Sequence, residues 1–327
     1  MTPDDSSRVA VISGGVGAAR FLRGLLDAIE PSRVTAVVNT GDDTVLHGLS
    51  ISPDLDTITY TLAGAIDPER GWGLVDETWR AIGALTRYAA VRPAGSQAAP
   101  QWFNLGDQDL ATHFYRTARL AEGASLTEVT GEIAAAWGLG LAMVPMSDER
   151  LATIVTVDDP DQPTGPSEVS FQDYFVRLRH AVRVHAVRFD GTATLAPAAR
   201  AALTDADVIV IAPSNPIVSI GPIRSMPGVD DLLASRRSRT VAVSPIVGGA
   251  ALKGPADRML IDSGNEASVV GVARLYRDIA AVLVIDPVDE HLAEQVEEVG
   301  MRCVVCPSIM STPEIARSLA LTTIAAV

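Results

Sequence analysis

The chain has 327 residues, with 40 acidic side chains against 26 basic ones and a formal net charge of -14. Such a surface repels nucleic acid and anionic membrane. A hydrophobic share of 47%, with 26 glycines and 20 prolines, excludes a disordered or fibrous chain, and the length fits one large α/β domain or a domain with a substantial insert.

The start, MTPDDSSR, is polar and acidic. It lacks the basic and then apolar pattern of a signal peptide. No uncharged apolar stretch is long enough to span a bilayer. Two cysteines in so long a chain suit a reducing compartment, so a soluble cytoplasmic protein is expected.

RVAVIS reads as a short apolar strand, and GGVGAARFLRGLLDAI as a glycine turn opening into an amphipathic helix. RVTAVVN is a second strand, which makes this opening a βαβ unit with parallel strands. An acidic stretch starts at its end, VVNTGDDTVLHGLSISPDLDT, with Asp42, Asp43, Asp54 and Asp56 and no basic residue. Residues 67–138 change character. VDETWRAIGALTRYA, DLATHFYRTARLAEG and LTEVTGEIAAAWG fit helical spacing, and VRPAGSQAAPQ between the first two reads as a loop. A largely helical insert covering the substrate site is expected there.

Strands resume at LAMVPMS and ATIVTVD, and EVSFQDYFVRLR and RVHAVRF are mixed strand and helix. The α/β rhythm then returns. PAARAALTDA is a helix, DVIVIAPSNP and SRTVAVSPIVGG are buried strands ending in polar turns, and AAVLVID and RCVVCPS are further strands. EHLAEQVEEV and TPEIARSLALTTI are helices. The expected fold is a Rossmann-like α/β core over residues 1–66 and 139–327. Its sheet is mostly parallel, with helices on both faces. Ligands in such sheets bind beyond the C-terminal strand ends. Gly14 to Gly17, Asp42 with Asp43, Ser214 with Asn215, and Ser244 to Gly249 all fall at such ends.

SGGVGAAR is not a dinucleotide fingerprint, because Arg20 stands where the third glycine belongs, and it lacks the Lys-Ser/Thr of a P-loop. Its glycines Gly14, Gly15 and Gly17 still let a ligand approach the backbone, and the following helix offers free N–H groups to an anion. The plainer alternative is a tight strand-to-helix turn. Hard divalent cations such as Mg2+ prefer carboxylate oxygens and share them with substrate phosphates. The four aspartates fit a site for such a metal or for hydroxyl groups. Asp54 and Asp56 also suit the first turn of a helix that Ser52 would cap. Ser214 and Asn215 offer groups to a phosphate and a base edge, although turn chemistry selects the same residues. Lys253 is the only lysine, and it lies between Gly248, Gly249 and Gly254 where it would neutralise phosphate.

Asn104, Asp107, Asp109 and His113 surround a helix start, where the aspartates suit the N-terminus. Trp72, Trp79, Trp102 and Phe103 border the insert, placed either to stack a planar ring or to pack the core. Cys303 and Cys306 form C-x-x-C in an apolar strand without further zinc ligands, and they read as inert thiols. No Ser/His/Asp set is visible.

Together, ISGGVGAARFLRGL, VVNTGDDTVLHGLSISPDLDTITYTLAG, WFNLGDQDLATH, APSNPIVSIGPI and SPIVGGAALKGPA resemble the 2-phospho-L-lactate transferases of coenzyme F420 biosynthesis. The likeness covers nearly the whole chain and is strongest to the actinobacterial, phosphoenolpyruvate-transferring branch. It implies a Mg2+-dependent homodimeric enzyme. The acceptor would be the deazariboflavin Fo, the donor enolpyruvyl-diphospho-5'-guanosine or its lactyl equivalent, and the products dehydro-coenzyme F420-0 and GMP. On that reading Asp42, Asp43 and Asp54 hold the metal. Asp43, Asp54 and Asp56 are catalytic, and Asp56 also contacts Fo. Gly14, Gly15, Gly17, Asn104, Ser214, Asn215, Gly248, Lys253 and Gly254 bind substrate. Gln108 stands where some relatives carry Arg or Lys, and some carry a basic residue near the position of Asn104, which weakens the carry-over to Asn104.

Two other classes compete. A related gluconeogenesis-factor-like family, of nucleotide-sugar-binding regulators, shares the strand-glycine-helix opening, but PDLDT and WFNLGD favour the transferase. A nicotinamide dehydrogenase is weakened by the failed glycine fingerprint.

Overall fold

The runs VAVIS, VTAVV, VIVI, TVAV and VLVI show no polar alternation, as strands buried on both faces require. In the computed structural model, which describes residues 7–96, 98–100, 102–162 and 164–327, they form the centre of one sheet. The acidic residues 1–6, and Gln97 and Gln101 of the expected 91–101 loop, lie outside the described residues.

In chain order, β1 (Val9–Ser13) leads into α1 (Gly15–Leu26) and β2 (Val34–Val38). A hairpin of β3 (Thr44–Leu46) and β4 (Leu49–Ile51) precedes α2 (Pro53–Leu62). Helices α3 (Arg80–Ala89), α4 (Asp107–Ala121) and α5 (Leu126–Ala136) follow, then β5 (Ala142–Pro145). Strands β6 (Ala152–Val157), β7 (Ser167–Ser170) and β8 (Val184–Asp190) precede α6 (Pro197–Asp205) and β9 (Val208–Ile211). Next come α7 (Gly221–Ser225), α8 (Val229–Ser235) and β10 (Thr240–Val243), and a short hairpin of β11 (Ile246–Val247) and β12 (Ala250–Ala251). The chain closes with α9 (Ala256–Asp262), α10 (Val269–Tyr276), β13 (Val282–Ile285), α11 (Ala293–Glu298), β14 (Arg302–Val305) and α12 (Pro313–Ile324).

Among the described residues the main sheet has seven strands in the order β14-β13-β10-β9-β1-β2-β5, and every pairing is parallel. From β1 the chain moves outward to β2 and β5. It then returns to β9 on the other side of β1 and moves outward again. β1 and β9 therefore flank the switch point, where the crevice of such a sheet opens. Val11 sits in register with both Ala36 and Val210.

Alternate strand residues feed two cores. Val9, Val11, Ala36, Val38 and Val210 face Phe21 and Leu22 of α1 and Leu319 of α12, whereas Ile12, Val37, Ile209 and Ile211 face Leu203 of α6 and Leu233 of α8. Helices thus cover both faces, as expected for a Rossmann-like α/β sheet.

The strand expected at 152–158 does not join that sheet. β6 pairs antiparallel with β7 and β8 in a separate three-stranded sheet. Its burial alternates along Ala152–Val157, the mark of a sheet packed on one face only. The mixed segment at 168–179 resolves into β7 and a π-helical turn, Asp173–Arg177.

Within residues 67–138, Ile82 of α3 and Leu110 of α4 pack with Leu105 and Ile51 in a small core of their own, against Leu46 and Leu49 of the hairpin. α5 starts with a capping box between Ser125 and Glu128. Its Ala134 belongs to the core of the main sheet, so α5 is the crossover helix between β2 and β5. Among the described residues no helix is long and apolar enough to cross a membrane.

Candidate active site

The acidic stretch is folded back on itself by a tight turn. His47 and Gly48 have φ values of 54° and 76°, the pair of positive angles that a two-residue hairpin turn needs. The turn sets the register Thr44↔Ile51, which brings Ser52 back beside Asp43. The Ser52 hydroxyl donates to Asp43 Oδ2 at 2.6 Å. Ser52 occupies the N-cap position of α2 but makes no side-chain cap bond. The capping role expected for it is replaced by this contact.

Pro53 starts α2 with its fixed φ, so Asp54 and Asp56 fall in the first turn. Asn39, just past β2, ties the two acidic segments together. Its Nδ2 donates to Asp54 Oδ2 at 2.9 Å and to Asp42 Oδ1 at 3.3 Å. Gln172 approaches from the antiparallel sheet and donates from Nε2 to Asp42 Oδ2 at 3.2 Å.

The glycine turn lies against the same carboxylates. A Cβ on Gly14 would stand 2.8 Å from Asp54 Oδ2 and 2.7 Å from Ser219 Cβ, so only glycine fits. The Gly15 N–H at the start of α1 donates to Asp54. The helix N-terminus thus receives a protein carboxylate. Gly17 has a different function: a Cβ there would strike the carbonyl oxygen of Pro213, and its absence lets α1 pack close to the end of β9. Ser214 locks the switch point, donating from Oγ to the Gly14 carbonyl at 2.7 Å and accepting from the Gly14 N–H at 3.2 Å.

This crowding raises the proton affinity of three carboxyls. Burial, followed by the charges of Asp54 and Asp43, pushes Asp42 well above the usual carboxylate range. Burial does the same to Asp43 against the opposing Ser52 hydrogen bond and Arg116 charge. Asp54 is pushed up to about 6 by burial, against its bonds from Asn39 and Gly15. Asp43 Oδ1 is buried with no hydrogen-bond partner among the described residues. Oxygen donors alone, strained by mutual repulsion and one of them orphaned, fit a hard divalent cation such as Mg2+. In this arrangement the three are not drawn together to metal spacing.

The described residues that do gather ligand atoms within 4.8 Å of one another are Asp56, Asp109 and His113. A cation is already there. Arg116 of α4 grips Asp56 with both terminal nitrogens, Nη2 to Oδ1 and Nη1 to Oδ2, the latter at 3.1 Å. Arg116 Nη1 also lies 3.2 Å from His113 Nδ1. Donation to that nitrogen leaves the imidazole hydrogen on Nε2, which faces Asp109 Oδ1 at 3.3 Å. The Tyr60 hydroxyl donates to the same Asp109 oxygen at 2.7 Å. The guanidinium thus neutralises Asp56 within this group.

The structure therefore assembles Gly14, Gly15, Asp42, Asp43, Asp54, Asp56 and Ser214 at one rim. The other candidates make contacts of their own. Asn215 closes its own turn, accepting from the Ile217 N–H at 2.9 Å. Gly248 donates its N–H to Asp289. Lys253 is exposed beside Gly254, with Nζ directed at the insert, where a Cβ on Gly71 would lie 2.9 Å from it. Asn104 is exposed. Trp72 and Trp79 pack on each other with the Arg70 guanidinium over both rings. Cys303 and Cys306 are free thiols on and just after β14.

Asn39, Gln172 and Arg116 escaped the sequence reading. Gln172 is 130 residues from Asp42 and carried no local signal. Asn39 stood in the acidic stretch itself. Asp109, His113 and Arg116 recur at helical spacing along one face of α4, a pattern that marks a buried polar seam.

A family model described as 2-phospho-L-lactate transferase CofD matches residues 9–317. The phosphoenolpyruvate transferase of Kitasatospora aureofaciens is 42% identical over 322 residues, covering 97% of each chain. That of Streptomyces griseus is 40% identical over 316 residues, covering 96% of each. The Nocardia farcinica protein of the same name is 39% identical, over 96% of this chain and 92% of its own. Among solved structures, Bacillus halodurans BH3568 superposes with a TM-score of 0.60 at 15% identity, over 98% of this chain and 99% of that one. A second structure of BH3568, described as a member of the upf0052 family, gives 0.59 at 14% over 97% and 98%. At such identity the likeness is one of fold.

Proposed function

The chain belongs to the 2-phospho-L-lactate transferase CofD family, and from that premise we propose that it transfers a phosphoenolpyruvyl group from enolpyruvyl-diphospho-5'-guanosine to the terminal ribityl hydroxyl of Fo. The products are dehydro-coenzyme F420-0 and GMP. The relatives named phosphoenolpyruvate transferase favour the enolpyruvyl donor over the lactyl one. The observation that carries the reading is Asp54 lying against the glycine turn that opens α1 at the switch point of the sheet, tied to Asp42 through Asn39.

In the reaction the hydroxyl oxygen bonds to the phosphorus that bears the enolpyruvyl group. The bond from that phosphorus to the bridging oxygen breaks, GMP leaves with the electron pair, and the hydroxyl proton is released. Such transfers rest on positioning and charge neutralisation. Asp42, Asp43 and Asp54 would hold Mg2+, which supplies positive charge to the diphosphate. The chain's own residues do the rest. Asn39 and Gln172 hold Asp42 in place, Ser52 orients Asp43, and Ser214 fixes the glycine turn against Asp54. Asp56, already matched by Arg116, accepts hydrogen bonds from acceptor hydroxyls. Gly248, Lys253 and Gly254 are assigned to the donor phosphates, and the insert of 67–138 to covering the substrates. A homodimer in the cytoplasm completes the reading.

The test is direct. The protein is incubated with Fo, MgCl2 and freshly generated enolpyruvyl-diphospho-guanosine, and GMP is followed by chromatography. Release that requires all three supports the assignment; a folded protein that releases none sinks it.

A further inference from the structure

Arg116 is the largest wholly buried side chain of the described residues, 1% exposed. An arginine is costly to bury unless its charge is matched, and here the hydrogen-bonded match is Asp56, with Asp43 acting only at longer range. Both carboxylate oxygens are engaged by the planar fork, which fixes the rotation of the group as well as its position. The guanidinium is in turn held by the Ser50 carbonyl at 3.4 Å and by His113. Each oxygen of Asp56 keeps an unused acceptor site after the fork is made.

Asp42, Asp43 and Asp54 lack such a partner of their own. A divalent cation gains most where negative charge is unmatched, so it is drawn to those three and away from Asp56. What a matched carboxylate still does well is accept hydrogen bonds from hydroxyl groups, at a spacing its partner dictates.

We propose that Arg116 is a positioning residue for the polyol acceptor: from α4 it presents Asp56 in one orientation to the acceptor's hydroxyls, and so ties the helical insert into the active site. This rests on the transferase reading given above. Lysine at position 116 keeps the charge but has one nitrogen and cannot span both oxygens. The acceptor subsite then loosens, while the charge that acts on Asp43 is kept and Gly248, Lys253 and Gly254, assigned to the donor phosphates, lie after another strand.

The test uses Arg116→Lys, Asp56→Asn and the double variant, each in the full chain. Fo affinity is read by fluorescence titration, and the KM values for Fo and donor from GMP release. Arg116→Lys is expected to weaken Fo about tenfold with the donor KM unchanged. The double variant is expected to bind Fo no worse than Asp56→Asn alone, because Arg116 acts only through that carboxylate. If Arg116→Lys or the double variant fails to fold, Arg116→Gln combined with Asp56→Asn, which buries neither charge of the pair, decides instead: Fo affinity equal to that of Asp56→Asn supports the proposal, and a further loss overturns it. Wild-type Fo affinity in a folded Arg116→Lys protein also overturns it. Wild-type protein that binds no Fo overturns the transferase reading instead.

Discussion

Ser52 and Asp43, nine positions apart, meet through a 2.6 Å hydrogen bond across the base of the β3–β4 hairpin. Ser52 precedes a helix and has the sequence signature of a cap, yet its hydroxyl is spent on the carboxylate. Replacing a true cap by alanine costs about 1 kcal/mol of stability. Ser52→Ala is therefore expected to cost about 1–3 kcal/mol through the unsatisfied Asp43 carboxylate rather than through the helix end, and GMP release is expected to fall about tenfold, since Asp43 loses its donor. Thermal melts and steady-state rates separate the two outcomes; a clear loss of melting temperature with normal turnover would return Ser52 to the helix.

Asp43→Asn and Asp54→Asn act on both charge and chemistry. Each removes one of several like charges confined in a buried space. In metal-free buffer both variants are expected to melt at or above the wild-type temperature, because burying an unmatched carboxylate is costly. Turnover is expected to fall at least about 100-fold. MgCl2 is expected to raise the melting temperature of the wild type, and to do so less in either variant, since an ion that binds the folded state alone stabilises it by mass action. Near wild-type rates in both variants, with an intact Mg2+ response, would place the cation on other ligands.

How much of this was legible depends on distance along the chain. The burial of the main-sheet strands on both faces is written in continuous apolar runs, and the glycine turn and the aspartates sit within short, readable segments. β6 carried equally apolar residues, and only its one-sided burial in the folded chain separates it from the main sheet. The grip of Arg116 on Asp56 crosses 60 residues and two elements. Helical spacing shows that Asp109, His113 and Arg116 share a face, but not which carboxylate that face meets. Gly17 read as a ligand contact because close packing against a carbonyl and close approach to a phosphate demand the same residue.

Cys303 offers a check on the fold that is independent of the substrates. Burial, followed by the charge of Glu297, pushes its thiol up to about 11. The folded state therefore binds the proton more tightly than the unfolded chain. This contribution to stability is full below the ordinary thiol pKa and is lost as pH rises through about 11. At pH 8 the thiolate fraction is small, so labelling by iodoacetamide is expected to be slow in the native protein and to accelerate at least about tenfold in urea. Cys306 is shifted the same way, again chiefly by burial. Rapid native labelling, or zinc retained through dialysis, would contradict inert thiols.

Gly14→Ala probes the contact between the turn and the carboxylate from the other side. The added methyl would meet Ser219 Cβ at 2.7 Å and Asp54 Oδ2 at 2.8 Å, distances at which something must move. Ser219 belongs to the segment that closes the switch point, and Ser214 already clamps Gly14 from two sides, so the backbone has little room to yield. The Asp54 side chain is the part free to swing, and moving it breaks its bonds to Asn39 and Gly15. The expected result is a protein about 1–3 kcal/mol less stable whose turnover falls further than that loss explains, with a weakened Mg2+ response. Gly17→Ala, which meets only the Pro213 carbonyl, is the control: it should destabilise at least as much while leaving the Mg2+ response of the folded fraction unchanged. Chemical denaturation and MgCl2 titration of the two variants side by side measure the difference, and equal Mg2+ responses would mean that the turn does not position Asp54.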